Sequence, residues 1–314
     1  MTSVTAIAMD VESPSRRMMR RFARHRPAVA GALLLSVFAT VCFAAPLIGL
    51  ALGVDGETVD LFERYQPPDS RHLLGTDEIG RDVLIRLLEG GRVSLIIGLT
   101  AAIIAALIGT AIGIVAGYAG GATDALLMRV TDGVISLPLL PLLIVLAALD
   151  LQKIGVPPEI ASSEQASLYR IVAIVALAGW TTVARLVRGT VLALKARPFV
   201  LAARAQGAGA WHIVIRHLLP NLTSPIIVAT TLSIGNIILL ESVLSFLGLG
   251  IQPPLPSWGN MLTNAQELIW QAPMLAVYPG LAIFLTVIAF NMLGDGLQDA
   301  LDPRALDGRE QATP

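Results

Sequence analysis

Six stretches of about twenty residues, nearly free of charge, run through this sequence, and a chain built that way has few folds open to it. They fall at roughly Ala28 to Leu52, Val93 to Gly117, Gly133 to Leu149, Leu168 to Val187, Leu222 to Leu247 and Met274 to Leu293. A helix rises ~1.5 Å per residue, so about twenty residues cross the ~30 Å hydrocarbon core of a bilayer. In that medium every backbone N–H and C=O must be satisfied internally, which makes each run a helix. The expected fold is an all-α polytopic membrane protein of six transmembrane helices. Composition agrees: 54% of the 314 residues are hydrophobic and 14% charged, and the mean hydropathy is +0.71, more than a soluble domain with a polar shell carries. The fourth run is the narrowest. Only Ile171 to Ala184 lies between Arg170 and Arg185, whose guanidinium groups must snorkel to opposite interfaces.

Charge distribution orients the bundle. With the N-terminus inside, the cytosolic segments collect 15 of the 22 Lys and Arg residues, from the Arg16 to Arg26 run to Arg304 and Arg309, against seven outside. The positive-inside rule therefore places both termini in the cytosol. The basic run before the first span reads as a topology signal and a contact for anionic lipid. The first span is too long for a signal-peptide core and reads as an uncleaved anchor. A net charge of −1 argues against a general nucleic-acid binder. The lone Cys42, inside an apolar run, leaves no disulfide or thiolate metal site and reads as a small buried hydrophobe. The chain divides into a cytosolic tail 1–27, a first span 28–52, an outer segment 53–92, a five-helix core 93–297 holding a cytosolic loop 188–221, and a cytosolic tail 298–314.

Within these segments several residues draw chemistry or packing roles. Gly109, Gly113 and Gly117 share one face of the second span, where a neighbouring helix is expected to approach closely. In the outer segment, Thr76 reads as a cap for a helix with Asp77 and Glu78 in its first turn and an apolar stripe of Ile79, Val83, Leu84, Leu87 and Leu88. With Asp82 paired to Arg86, this helix is expected to lie in the interface. The acids there lack a metal-loop spacing and stand among arginines. The outer loop "GLGIQPPLPSWGNMLTNAQELIWQAP" reads as a rigid, partly re-entrant cap with Trp258 and Trp270 as interface anchors. Glu241, near the outer end of the fifth span, marks either a pathway or a buried partner in that cap. Asn236, nearer mid-membrane, either joins helices or lines the path. Pro138 and Pro141 are expected to kink the third span, with a hinge role open. His25, His72, His212 and His217 are too scattered for a zinc or catalytic set.

The most informative stretch is "LAARAQGAGAWHIVIRHLLPN", from Leu201 on, between the fourth and fifth spans. Phe199 to Gln206 reads as a short helix, Gly207-Ala208-Gly209 as a turn, and Ala210 to Leu218 as a second helix stopped by Pro220. Trp211, Val214, Ile215 and Leu218 recur at i, i+3, i+4 and i+7, opposite His212 and Arg216, and form an apolar ridge. Such a ridge in water needs a groove, on this chain or on another protein.

At this stretch the chain resembles the permease subunits of ATP-binding-cassette importers, whose signature is Glu-Ala-Ala, three residues, Gly, then about nine residues to Leu-Pro. Ala202, Ala203, Gly207, Leu219 and Pro220 match in kind and spacing, while Leu201 stands where the glutamate is usual. "GTDEIGRDVL", "ESVLSFLGLGIQPPLPSWGNML" and "NMLGDGLQDALDPR" narrow the resemblance to the dipeptide and oligopeptide branch, second permease of the pair, with Gln298 replacing a common arginine. The resemblance implies a type I importer permease fold, and a non-catalytic subunit that forms half of a pathway for di- or oligopeptides. The implied partners are a homologous second permease, two cytosolic ATPases and an extracytoplasmic substrate-binding protein. It also implies that 199–221 is the coupling loop on the ATPase, with Gly207 letting the two short helices pack at a tight angle that a Cβ would obstruct. The chain has no P-loop of its own: Lys153 and Lys195 are the only lysines, preceded by Gln152 and Leu194, so ATP and Mg belong to the partners. Nickel or opine-like solutes are alternative cargoes within the branch. An ion-coupled secondary transporter would instead show inverted repeats and paired intramembrane charges.

Overall fold

The computed structural model describes residues 14–161, 163, 165–263, 267 and 269–301. Arg304 and Arg309, counted above among the cytosolic charges, lie outside them. Among the described residues the chain is helical, with a single isolated bridge between Thr76 and Asp82. α1 (Pro14–Arg24) is basic and lies against the last helix. α2 (Arg26–Phe43) is capped by His25, whose ring nitrogen accepts from the Ala28 N–H, and α3 (Ala45–Leu52) follows after Ala44. The first span is thus divided, because Pro46 supplies no N–H to continue the ladder.

α4 (Val83–Ala119) is a single helix of 37 residues. Here the structure corrects the sequence reading. Residues 83–88 belong to the second span and not to a separate interfacial helix, and the cap is Asp82, which accepts from the Ile85 N–H at 2.8 Å. Thr76 instead pins a tight subdomain between α3 and α4, its hydroxyl bonded to the Glu63 carbonyl and to the Gln66 N–H. Asp82 pairs with His72 at 2.9 Å, and Arg86 reaches Asp77 at 3.6 Å and the Gly56 carbonyl at 3.2 Å. Residues 77–82 turn tightly because Gly80, at φ +84, sits where a Cβ would lie 1.8 Å from the Asp60 carbonyl. In the same subdomain Asp55 accepts from the Thr58 N–H and hydroxyl, which holds its carboxyl below the usual range.

In place of the third span stand α5 (Gly121–Ser136) and α6 (Leu139–Ala147), meeting at 86°. Pro138 forces Leu137 into extended backbone (φ −74, ψ 137), so the expected kink becomes a break. After the short α7 (Pro158–Ala161), α8 (Ala166–Leu194) packs along α4. As expected, Gly109, Gly113 and Gly117 admit it: a Cβ there would come within 2.5 Å of the Trp180 carbonyl, 2.7 Å of the Ala184 carbonyl and 2.8 Å of Val191 Cβ, respectively. α9 (Pro198–Ala205) and α10 (Ala210–Ile213) form the loop. A π-turn, Val214–Leu218, then leads into α11 (Leu219–Phe246), and α12 (Met274–Leu301) closes the bundle against α2 and α11. Among the described residues five helical stretches are long and apolar enough to cross a membrane, or six with the bent α5–α6 pair counted as one.

Candidate functional site

The two ends of the bundle are built in opposite ways. At one end, α9 ends in a residue that must be glycine. Gly207 has φ +84, and the Ala208 N–H returns to the Ala203 carbonyl at 3.0 Å. Nothing lies within 4 Å of where its Cβ would be. The glycine is therefore required by backbone conformation and not, as expected, by crowding between the two helices. The chain turns at Gly209 and re-enters as α10. Ile213 and Leu218 are buried with Val183, Val187, Val191, Val200 and Leu222, and Val214 packs against that cluster. Trp211 is 76% exposed and Ile215 46%. The expected ridge is thus split, Val214 and Leu218 inward, Trp211 and Ile215 outward. At 3.6 residues per turn the four residues span an arc of about 100°, of which one edge, Val214 and Leu218, meets the chain and the other, Trp211 and Ile215, does not; a π-turn follows, with the Leu219 N–H on the Val214 carbonyl. Nor does Pro220 stop the helix. The π-turn before it has already left the i→i−4 registry, so the missing N–H of Pro220 costs little and Ala210–Phe246 runs on without a gap. On α9, Leu201 is 50% exposed, Ala202 is exposed and Ala203 half-buried. Phe199, Leu201, Trp211, Ile215 and Leu219 are thus the exposed large apolar side chains of a knob whose underside is a closed apolar cluster.

At the other end the groups satisfy one another. Glu241 is fully buried on α11. The Ser94 hydroxyl donates to one of its carboxylate oxygens at 3.2 Å and the Ser245 hydroxyl to the other at 2.7 Å. Each serine oxygen accepts in turn from the loop backbone: Ser94 from the Trp258 N–H at 3.3 Å, Ser245 from the Ile251 N–H at 3.0 Å. One carboxylate therefore ties α4, α11 and the 248–263 loop together, the buried-partner role that the sequence left open. Trp258 is not the interface anchor expected. It is 1% exposed, donates its ring N–H to the Leu87 carbonyl at 2.9 Å and meets Phe38 edge-on, while Trp270 is exposed. Gly90 and Gly91 make room for it; a Cβ on Gly91 would lie 2.6 Å from the indole. Beside this seal a cavity of about 280 Å³ is lined by Asp77, Arg81, Arg86, Ser245, Gln252 and Asn260, among others.

Asn236 lies on α11 but on its exposed face, so it is not brought together with Glu241. Pro138 and Pro141 sit at the start of α6, at the 86° break.

A family model described as the binding-protein-dependent transport system inner membrane component matches residues 109–307. The chain belongs to this permease family. A second model, the N-terminal TM domain of oligopeptide transport permease C, matches residues 13–68. The permease is 40% identical over 296 residues to a glutathione transport system permease protein of Pectobacterium atrosepticum, covering 94% of this chain and 93% of that one. It is 36% identical over 292 residues to a dipeptide transport system permease protein of Alkalihalophilus pseudofirmus, covering 93% and 90%. It is thus an inner-membrane, multi-pass permease subunit of the peptide branch of ATP-binding-cassette importers. That class of subunit is non-catalytic and works with ATPase and substrate-binding partners.

Sequence reasoning missed Ser94 and Ser245, ordinary serines whose meaning appears only once α4, α11 and the loop meet. It also missed the ion pairs of α5 with α8, Asp124–Arg188 at 2.5 Å and Asp132–Arg185 at 2.6 Å. An isolated aspartate and a juxtamembrane arginine carry no signal of pairing across more than fifty residues.

Proposed function

We propose that this permease forms half of a translocation pathway for di- or oligopeptides, with a homologous permease as the other half, and that the knob at residues 199–221 couples it to a separate ATPase. The observation that carries this reading is the exposure of Leu201 and Trp211 on a turn anchored by Val200, Ile213 and Leu218. A rigid apolar projection of this kind is a hot-spot arrangement, in which ordering entropy is already spent before a partner arrives. The glutamate usual at position 201 is absent, so docking here rests on apolar contact. Two cytosolic ATPases hold ATP and Mg, and their closure pushes the knob.

The knob end and both termini then face the cytosol, in keeping with the positive-inside count. The sealed end faces outward, toward an extracytoplasmic binding protein that selects the solute. Peptide cargo is supported by the transport systems named for the relatives, glutathione and dipeptide, both short peptides. Asn236, exposed on α11, and the 86° break at Pro138 are the pathway and gating candidates of this chain. The test is Gly207→Trp in the reconstituted importer. The variant is expected to insert normally but to lose ATPase retention on purification and substrate-stimulated turnover; wild-type turnover refutes the reading.

A further inference from the structure

α5 is held to the bundle differently from every other long helix. Thr131 is the one fully buried side chain among its sixteen residues. It begins at a two-glycine joint, Gly120 at φ +68 and Gly121 at φ +56, and ends at the 86° break before α6. Between these pivots it is fastened to α8 by the two ion pairs, and Arg188 grips Asp124 with both Nε and a terminal nitrogen, at 2.5 and 2.6 Å. The Asp132–Arg185 pair is about half exposed. The exposed Asp132–Arg185 pair is a weak fastening, the two-point Asp124–Arg188 pair a stronger and directional one, and both are polar, in contrast to the glycine seam that fixes α4 on α8.

The same arginines sit on the last turns of α8, directly before the knob. Lys195 then donates to the Gly117 carbonyl at 3.0 Å, at the end of α4, and the Arg204 guanidinium lies 5.8 Å from the centre of the Tyr118 ring. Knob, α8 terminus and α4–α5 joint are therefore linked through polar contacts on one side of the molecule.

Resting on the coupling-loop reading above, we infer that Asp124 and Arg188 are a positioning pair: a latch that makes the α5–α6 arm follow the knob, so that ATPase closure reaches the bend at Pro138. Neither residue touches substrate or ATPase in this role. It sets how much transport each hydrolysis event produces.

The experiment uses the complete importer in proteoliposomes, with both permeases, the ATPases and the binding protein. Asp124→Arg and Arg188→Asp are each expected to assemble and hydrolyse ATP, with substrate moved per ATP reduced about tenfold. The charge-swapped double variant is expected to recover to within about twofold of wild type. Wild-type ratios in the single variants overturn the proposal, as does a swap that restores assembly alone. Failure of the underlying coupling reading shows separately, as ATPase retention and normal turnover in Gly207→Trp whatever the latch variants do.

Discussion

Comparing the two ends of the continuous Ala210–Phe246 run shows how one helix serves two kinds of surface. At the Glu241 end, a carboxylate, two serines, two backbone N–H groups and an indole satisfy one another inside the protein. At the Trp211 end, apolar side chains are supported from beneath and left uncovered above. Removing a group from the first should therefore cost stability, and removing one from the second should cost association. Buried groups are paired because leaving them unpaired is expensive. Exposed aromatics on a rigid base are kept because a partner completes them.

The strongest way to break this contrast is Trp258→Ala, which empties the indole site between Phe38 and Gly91. A loss of about 3–5 kcal/mol is expected in equilibrium unfolding of the detergent-solubilised protein; an unchanged midpoint would make the sealed end no more integral than the knob. Next is Glu241→Ala, expected to cost about 2 kcal/mol because two hydroxyls lose their acceptor. Glu241→Gln should cost less, since its carbonyl oxygen can still accept one of them, and equal losses for the two variants would remove the carboxylate from the account. The smallest effect is Trp211→Ala, expected to shift unfolding by no more than about 0.5 kcal/mol. The same variant should retain visibly less ATPase subunit on purification, whereas a stability loss like that of Trp258→Ala would place the knob in the core.

Much of this contrast was legible from residue order. Span positions follow from charge-free length, the α4–α8 seam from glycines four apart, and the turn at Gly207-Ala208-Gly209 from its glycines, although what Gly207 supplies is a positive φ and not relief of crowding. What failed did so for identifiable reasons. The stripe from Ile79 to Leu88 fits an interfacial helix and a membrane-helix extension equally well, and the choice fell to Asp82, a local cap on the Ile85 N–H that competed in the sequence with Thr76. The ridge of four residues hid which of its edges would be covered, and the π-turn that carries the chain past Pro220 leaves no mark in residue order. Trp258 read as an interface anchor because its burial depends on Gly90 and Gly91, some 170 residues away in sequence.

The gapless run from Ala210 to Phe246 has a mechanical consequence. Its 37 residues measure about 55 Å at ~1.5 Å per residue, with no loop between to take up slack. Between the tryptophan and the glutamate at the far tip the backbone is one continuous rod, jointed only at the π-turn and at Pro225.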